Sequence, residues 1–348
     1  MRKVSRIVAV VASAALAVTS SSFAEAGPLG GDGRELPYID VTQIDFADLN
    51  NNYGVETVEP GNLVAFGDSI FSNPRVGDAV YAVASRKIPD ETAANVVRNA
   101  APHVSPRGCA QGTPSIPKAL AANLNAPLND YSCPGATVYS QGTSNSIVAQ
   151  VEQAIQDGAL NPETKFVAIQ GGYNDIYNNY TVPSGVRPND EQLATMLGTK
   201  TQKEQYAAAM DRILPLVKSA APNAQVQLVG YHTITDDRPG GWQCLYHLGV
   251  GKGKDNLYDI SYAFPIYWDT RGEVNTNNWM REAAGRNGVG YVDTRTFSAN
   301  HGECAPPEDR WVGGVLIDNT TGGYNLALHL TDEGVHEVSR FVAGHYRT

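Results

Sequence analysis

The tripeptide Gly67-Asp68-Ser69 follows directly on the apolar run Asn62-Leu63-Val64-Ala65-Phe66. A turn between a strand and a helix exposes a small serine together with free backbone N–H groups, including the serine's own. A serine hydroxyl becomes a nucleophile only when a base takes its proton and donors hold the oxyanion that forms. The bland alternative is a helix cap, because Asp and Ser both cap helices well. Asp68 is read in that bland way, as a side chain that ties down the turn by accepting local N–H bonds.

Two further segments supply donor types. Gly172-Tyr173-Asn174-Asp175 follows a second apolar run, and the Asn174 amide is able to donate to an oxyanion, although Asn178-Asn179 nearby also fits an Asn-rich turn. Cys133-Pro134-Gly135-Ala136-Thr137 carries a glycine whose N–H can approach a substrate oxygen closely. Taken alone, this segment is an ordinary turn. The base must be one of His103, His232, His247, His301, His329, His336 and His345. His329 stands at a loop tip between an apolar run and the last helix, and His232, just past a strand, is its competitor. His336 and His345 fall on the final helix, where solvent is the natural surrounding.

The elements that must position these residues alternate. Buried strands are expected at 62–66, 165–170, 225–231 and 288–293, each a short apolar run closed by turn residues. Helices are expected at 116–124, 146–155, 202–219, 278–284 and 331–346. In the third of these, Ala208, Ile213, Leu214, Leu216 and Val217 are available for a buried stripe. Asp332 and Glu333 suit the first turn of the last. The alternation implies an α/β fold, a three-layer α/β/α sandwich on a mostly parallel sheet. Such sheets bind ligands at the carboxyl ends of their strands. Residues 234–275 interrupt the rhythm as a long excursion, and their aromatics (Trp242, Tyr246, Tyr262, Phe264, Tyr267, Trp268) either line an acyl or sugar site or simply pack the loop.

The chain has 348 residues and opens on Arg2, Lys3 and Arg6, then an apolar run Ile7 to Val18, then Ala24-Glu25-Ala26. That is the form of a secretory signal peptide, too short in its apolar part to span a membrane. Residues 1–26 are expected to be removed and 27–348 to form one domain, secreted, with no integral membrane segment. Removal takes the formal charge from −10 to −12. An acidic chain without a basic cluster has no electrostatic reason to bind nucleic acid. Four cysteines in an exported chain imply disulfides, and sequence proximity favours Cys109–Cys133 and Cys244–Cys304 among the three pairings. Their spacing fits no zinc site, and no metal or cofactor is expected. A monomer is expected.

Taken in order, these segments resemble the GDSL/SGNH hydrolase family over nearly the whole chain, Leu63 to His336. Gly67-Asp68-Ser69 is similar to the nucleophile block, Gly135 to the glycine block and Gly172-Tyr173-Asn174-Asp175 to the G-x-N-D block. His329-Leu330-Thr331 with Gly334 is similar to the histidine block. The resemblance implies a flavodoxin-like sheet, with Ser69 as nucleophile and His329 as base. It also implies an oxyanion hole from the Ser69 N–H, the Gly135 N–H and the Asn174 amide. The cysteines resemble a secreted, disulfide-bonded bacterial branch that acts on lipid and other carboxylic esters, in which Cys109 would bridge to Cys133.

One position departs from the family. An aspartate usually stands three residues before the histidine, and here that residue is Leu326. The chemistry requires only an acceptor for the Nδ1 proton. A Ser–His dyad with the Leu326 backbone carbonyl as acceptor is expected, with Asp318 as the alternative. The reaction implied is hydrolysis of a small-molecule, lipid or carbohydrate ester. An envelope acyltransferase using the same site and a non-catalytic envelope-binding module are the rival readings.

Overall fold

The computed structural model describes residues 57–87, 103–105, 107–140, 145–178, 200–236, 241–249, 259–265, 267–315, 317–321 and 323–347. The expected signal peptide lies outside them. Five strands form the central sheet: β1 (Leu63–Phe66), β2 (Leu128–Asp130), β3 (Phe166–Ile169), β4 (Gln225–Val229) and β7 (Gly290–Val292). Their order is β2-β1-β3-β4-β7 and every pairing is parallel. All four residues of β1 and all four of β3 are buried, as strands covered on both faces must be. The connection leaving β1 goes to one side and the next returns to the other. The sheet therefore has its switch point between β1 and β3, where crevices form outside the carboxyl ends.

Strand β2 carries no apolar signal. A side chain ties it to the residue before β1 instead, Asn62 Nδ2 donating to Asn129 Oδ1 at 2.7 Å, while Asp130 Oδ1 accepts locally from the Ser132 N–H at 2.9 Å.

Helices cover both faces. On one, α3 (Ile116–Leu124) packs against α9 (Asp332–Ala343), whose Val335, Val338 and Val342 point inward. On the other lie α4 (Ile147–Gln156), α6 (Lys200–Ala220) and α7 (Tyr267–Asn287). The buried stripe of α6 is Tyr206, Met210, Ile213, Leu214 and Val217; Ala208, expected in it, is exposed. Helix α7 is much longer than the expected 278–284 because the face its first half buries is polar (Glu273, Thr276, Asn277) and carries little apolar signature. Helix α2 (Val76–Lys87) and the short helices α1 (Ser69–Ser72), α5 (Tyr173–Asn178) and α8 (Thr294–Phe297) complete the set among the described residues.

The excursion is structured. Strands β5 (Trp242–Gly249) and β6 (Asp259–Pro265) form an antiparallel hairpin, and β8 (Ile317–Asp318) adds to β5 in parallel. Its buried side is polar: His247 Nδ1 lies 2.8 Å from Arg310 Nη1, and Arg310 pairs with Asp318 at 3.2 Å. Its outer side carries exposed Leu248 and Tyr262, the latter stacked on Tyr246. The Cys244–Cys304 disulfide ties the hairpin to the loop before β8.

Candidate active site

Ser69 begins α1, immediately after β1 and the turn residues Gly67 and Asp68. Asp68 is the N-cap and its Oδ1 accepts from the Ile70 N–H at 2.9 Å. Gln150 on α4 clamps the turn from the side: its Oε1 accepts from the Gly67 N–H and its Nε2 donates to the Gly67 carbonyl, both at 2.9 Å. Ser69 itself is half-buried.

Asp68 is nearly inaccessible, and burial pushes its carboxyl up to about 7 against the opposing hydrogen bonds from Tyr231, Ile70 and Phe71. A side chain in that position holds backbone in place.

Asn174 lies in the first turn of α5, past the end of β3. Its Nδ2 donates to the Ala136 carbonyl at 3.0 Å. A side-chain amide has two N–H donors, so anchoring one on Ala136 orients the other. The neighbouring Asp175 is buried, and it accepts from the N–H groups of Val138 (2.7 Å), Tyr139 (2.9 Å) and Ser140 (2.6 Å). This carboxylate fixes the loop that carries Gly135 relative to Asn174. Gly135 is exposed at φ +79°, a left-handed conformation that disfavours any side chain, and the space beside its Cα is open. The Cys109–Cys133 disulfide anchors the same loop two residues earlier.

His329 is buried on the loop leading into α9. The loop is held by Trp311 to Gly313: the Gly313 N–H donates to the His329 carbonyl at 3.0 Å and the Thr331 N–H to the Trp311 carbonyl at 2.8 Å. Thr331 caps α9 by accepting from the Gly334 N–H. A Cβ on Gly334 would come within 2.6 Å of the Trp311 carbonyl, so only glycine allows this close approach.

His329 Nδ1 stands 2.8 Å from the Ala327 carbonyl. Neither expected acceptor occupies that place. The Leu326 carbonyl accepts instead from the His329 backbone N–H at 3.2 Å. Asp318 is committed to Arg310 and to the N–H groups of Thr320 and Thr321. The reason is local: Leu328 adopts φ +64°, and this left-handed residue folds the imidazole back over Ala327. Nε2 has no hydrogen-bond partner among the described residues. Burial pushes the imidazole down to about 4, against the Ala327 and Ser69 backbones, which favour the charged form. Ser69 and His329 are thereby brought together.

The other histidines stand elsewhere. His232 is buried past β4 with neither ring nitrogen hydrogen-bonded among the described residues, and burial with the nearby His329 pushes it down to about 3. His247 is engaged with Arg310, His301 stacks on Trp311, and His336 and His345 are exposed. Of the aromatics in the excursion, Phe264, Tyr267 and Trp268 have side chains outside the described residues.

The sequence model of the GDSL-like Lipase/Acylhydrolase family matches residues 65–336, from within β1 to within α9. The chain belongs to this family. As a GDSL-like lipase/acylhydrolase it is a hydrolase of ester bonds. Its sequence is similar to Lipase 2 of Streptomyces coelicolor (strain ATCC BAA-471 / A3(2) / M145), 25% identical over 245 residues, 64% of this chain and 77% of that one. Its fold is similar to the crystal structure of phospholipase A1 from Streptomyces albidoflavus NA297. That match has TM-score 0.50 and 17% identity, covering 83% of this chain and all of the other. An extracellular lipase from Streptomyces rimosus aligns at TM-score 0.49 and 19% identity, over 82% of this chain and 99% of that one.

Three residues of this GDSL-like site escape a reading of motifs. Gln150 shares its helix face with Ile147, Val151 and Ala154, all buried; a polar residue inside an apolar stripe was the signal that it serves a buried partner. Asp175 was visible only as the end of a motif. Tyr231 sat in an apolar strand run with nothing to mark it.

Proposed function

We propose that this GDSL-like hydrolase cleaves carboxylic esters through an acyl-enzyme on Ser69, with His329 as the base. His329 Nε2 takes the Ser69 proton as Oγ attacks the ester carbonyl. The Ser69 N–H, the Gly135 N–H and the Asn174 amide hold the oxyanion. His329 then gives its proton to the leaving alcohol. Water attacks the acyl-enzyme by the same route and releases the acid. The Ala327 carbonyl, in place of a carboxylate, fixes the tautomer by accepting the Nδ1 proton.

One observation carries this reading. Ser69 and Asn174 follow adjacent parallel strands at the sheet's switch point, and a neutral imidazole with an uncommitted Nε2 lies against the Ser69 backbone. A fluorophosphonate probe is expected to label the wild-type chain at Ser69 and to leave Ser69→Ala unlabelled. Hydrolysis of a p-nitrophenyl ester by Ser69→Ala at the wild-type rate would overturn the assignment.

The name of the lipase relative supports lipid esters as the substrate class. A p-nitrophenyl ester series is expected to favour longer acyl chains over acetate. Secretion as a monomer, after removal of residues 1–26, completes the proposal; two disulfides and no free cysteine among the described residues support an oxidising destination.

A further inference from the structure

Tyr231 is completely buried two residues past β4. Helix α7 grips its backbone: Asn277 Oδ1 accepts the Tyr231 N–H at 2.9 Å, and Asn277 Nδ2 reaches the Tyr231 carbonyl at 3.3 Å. Its ring packs on that of Tyr173 with centroids 5.4 Å apart. Its hydroxyl lies between two turns. It donates to Asp68 Oδ2, whose partner oxygen caps α1 at Ile70, and it accepts the Tyr173 N–H at 3.2 Å. Ser69 is adjacent in sequence to Asp68, and Asn174 is adjacent to Tyr173.

A phenol has one hydrogen and accepting lone pairs. Once the hydrogen is given to Asp68, the oxygen faces Tyr173 as an acceptor only. The Tyr173 N–H is the first of α5 and has no partner inside its own helix. A single hydroxyl thus meets two needs and joins two chain segments that are far apart in sequence.

We propose that Tyr231 is a positioning residue whose hydroxyl sets the placement of the Asn174 amide relative to Ser69. The proposal rests on the reading of Ser69 and Asn174 given above. Tyr231 touches no substrate; it acts through the two turns. Without the hydroxyl, α5 loses the acceptor for its first N–H, Asp68 loses a donor, and the two halves of the oxyanion site settle independently.

The test is a double-mutant cycle on p-nitrophenyl ester hydrolysis, with thermal unfolding followed on every variant. Tyr231→Phe keeps the ring and removes only the hydroxyl. Its kcat is expected to fall about 10- to 100-fold, as a misplacement near 1 Å does, with KM within about twofold. In the Asn174→Ala background, the same substitution is expected to cost no more than about threefold, because the group it positions is already gone. A residue that merely supports the fold would lower the unfolding temperature and multiply its loss onto that of Asn174→Ala. Unchanged kcat in Tyr231→Phe, or multiplicative losses in the double variant, would overturn the proposal. If Tyr231→Phe does not stay folded at the assay temperature, the near-isosteric Asp68→Asn disturbs the same link from its other end and is expected to give the same non-additive pattern. Equal hydrolysis by wild type and Ser69→Ala is a separate outcome: it removes the reading of the site itself, and this proposal with it.

Discussion

His329 turns its Nδ1 to the carbonyl of Ala327, two residues earlier in the chain, at 2.8 Å. The position that usually holds an acid in this family, Leu326, lends only a backbone carbonyl to the His329 N–H. Installing the acid is therefore expected to gain nothing. Leu326→Asp should show a kcat no more than about threefold above wild type, since Nδ1 already has its acceptor. A tenfold rise on a p-nitrophenyl ester would mean that the carbonyl is an inferior substitute for a reachable carboxylate.

The two donors beyond the Ser69 N–H differ in what a substitution does to the fold. Asn174→Ala is expected to lower kcat by about 10²–10³, the usual cost of one oxyanion donor. Gly135→Ala leaves the N–H in place and meets open space, but the left-handed backbone costs about 1–2 kcal/mol for a residue with a Cβ. It should fold, with a lower urea midpoint and a reduced rate, as the turn relaxes and re-aims the N–H. A Gly135→Ala enzyme with wild-type kcat would show that the turn keeps its N–H aimed despite the added Cβ.

The disulfides should separate stability from activity. Cys109–Cys133 closes 24 residues and Cys244–Cys304 closes 60, so loop entropy alone gives roughly 3 and 4 kcal/mol respectively. Only the first lies next to Gly135. Replacing Cys109 and Cys133 together by Ala should lower both the unfolding temperature and kcat, whereas the paired Ala replacement of Cys244 and Cys304 should lower the unfolding temperature and leave kcat within about threefold. The opposite ranking in kcat would place the hairpin in the chemistry.

Burial makes the pH behaviour specific. His329, pushed down to about 4, is a neutral base throughout the neutral range, so kcat/KM should fall as pH drops through about 4, well below an ordinary histidine limb. Stability carries opposing signs. His232 and His329 both titrate lower in the fold than their usual 6.5, so the unfolded chain gains protons first as pH falls below 6.5, and the fold weakens. Asp68, raised to about 7, holds a proton in the fold and strengthens it over the same window. Two groups against one leave a net loss of roughly 1 kcal/mol per pH unit between 6.5 and 4 from these three. Urea midpoints measured across that range should fall with pH, and His232→Leu should flatten the slope. An unchanged slope in His232→Leu would show that His232 charges in the fold as it does outside it.

Legibility in the sequence followed burial. Strands β1 and β3 announce themselves because each is an unbroken apolar run, and the residues just after them are the ones that reach the site. Strand β2 is invisible because Asn129 and Asp130 replace apolar contacts by hydrogen bonds, the first to distant Asn62 and the second to nearby Ser132. The hairpin β5–β6 reads as a loop for a related reason: it buries His247 against Arg310 and exposes Tyr262, the reverse of the pattern from which strands are read. The acceptor for His329 was misplaced by one residue because the deciding quantity is the backbone angle of Leu328, a residue type that rarely turns left-handed. Tyr231 was unreadable because only the folded sheet brings Asp68 and Tyr173 to the same oxygen.

Asp175 gathers three consecutive N–H groups of the Gly135 loop onto one buried carboxylate. Its consequence is thermodynamic. The ordering of that loop is completed when the chain folds, so an incoming ester meets donors already in place and need not spend its own binding free energy on freezing them. Association should accordingly leave the backbone of residues 138–140 where it stands, and differences in affinity among substrates should trace to their acyl and alcohol parts rather than to the loop.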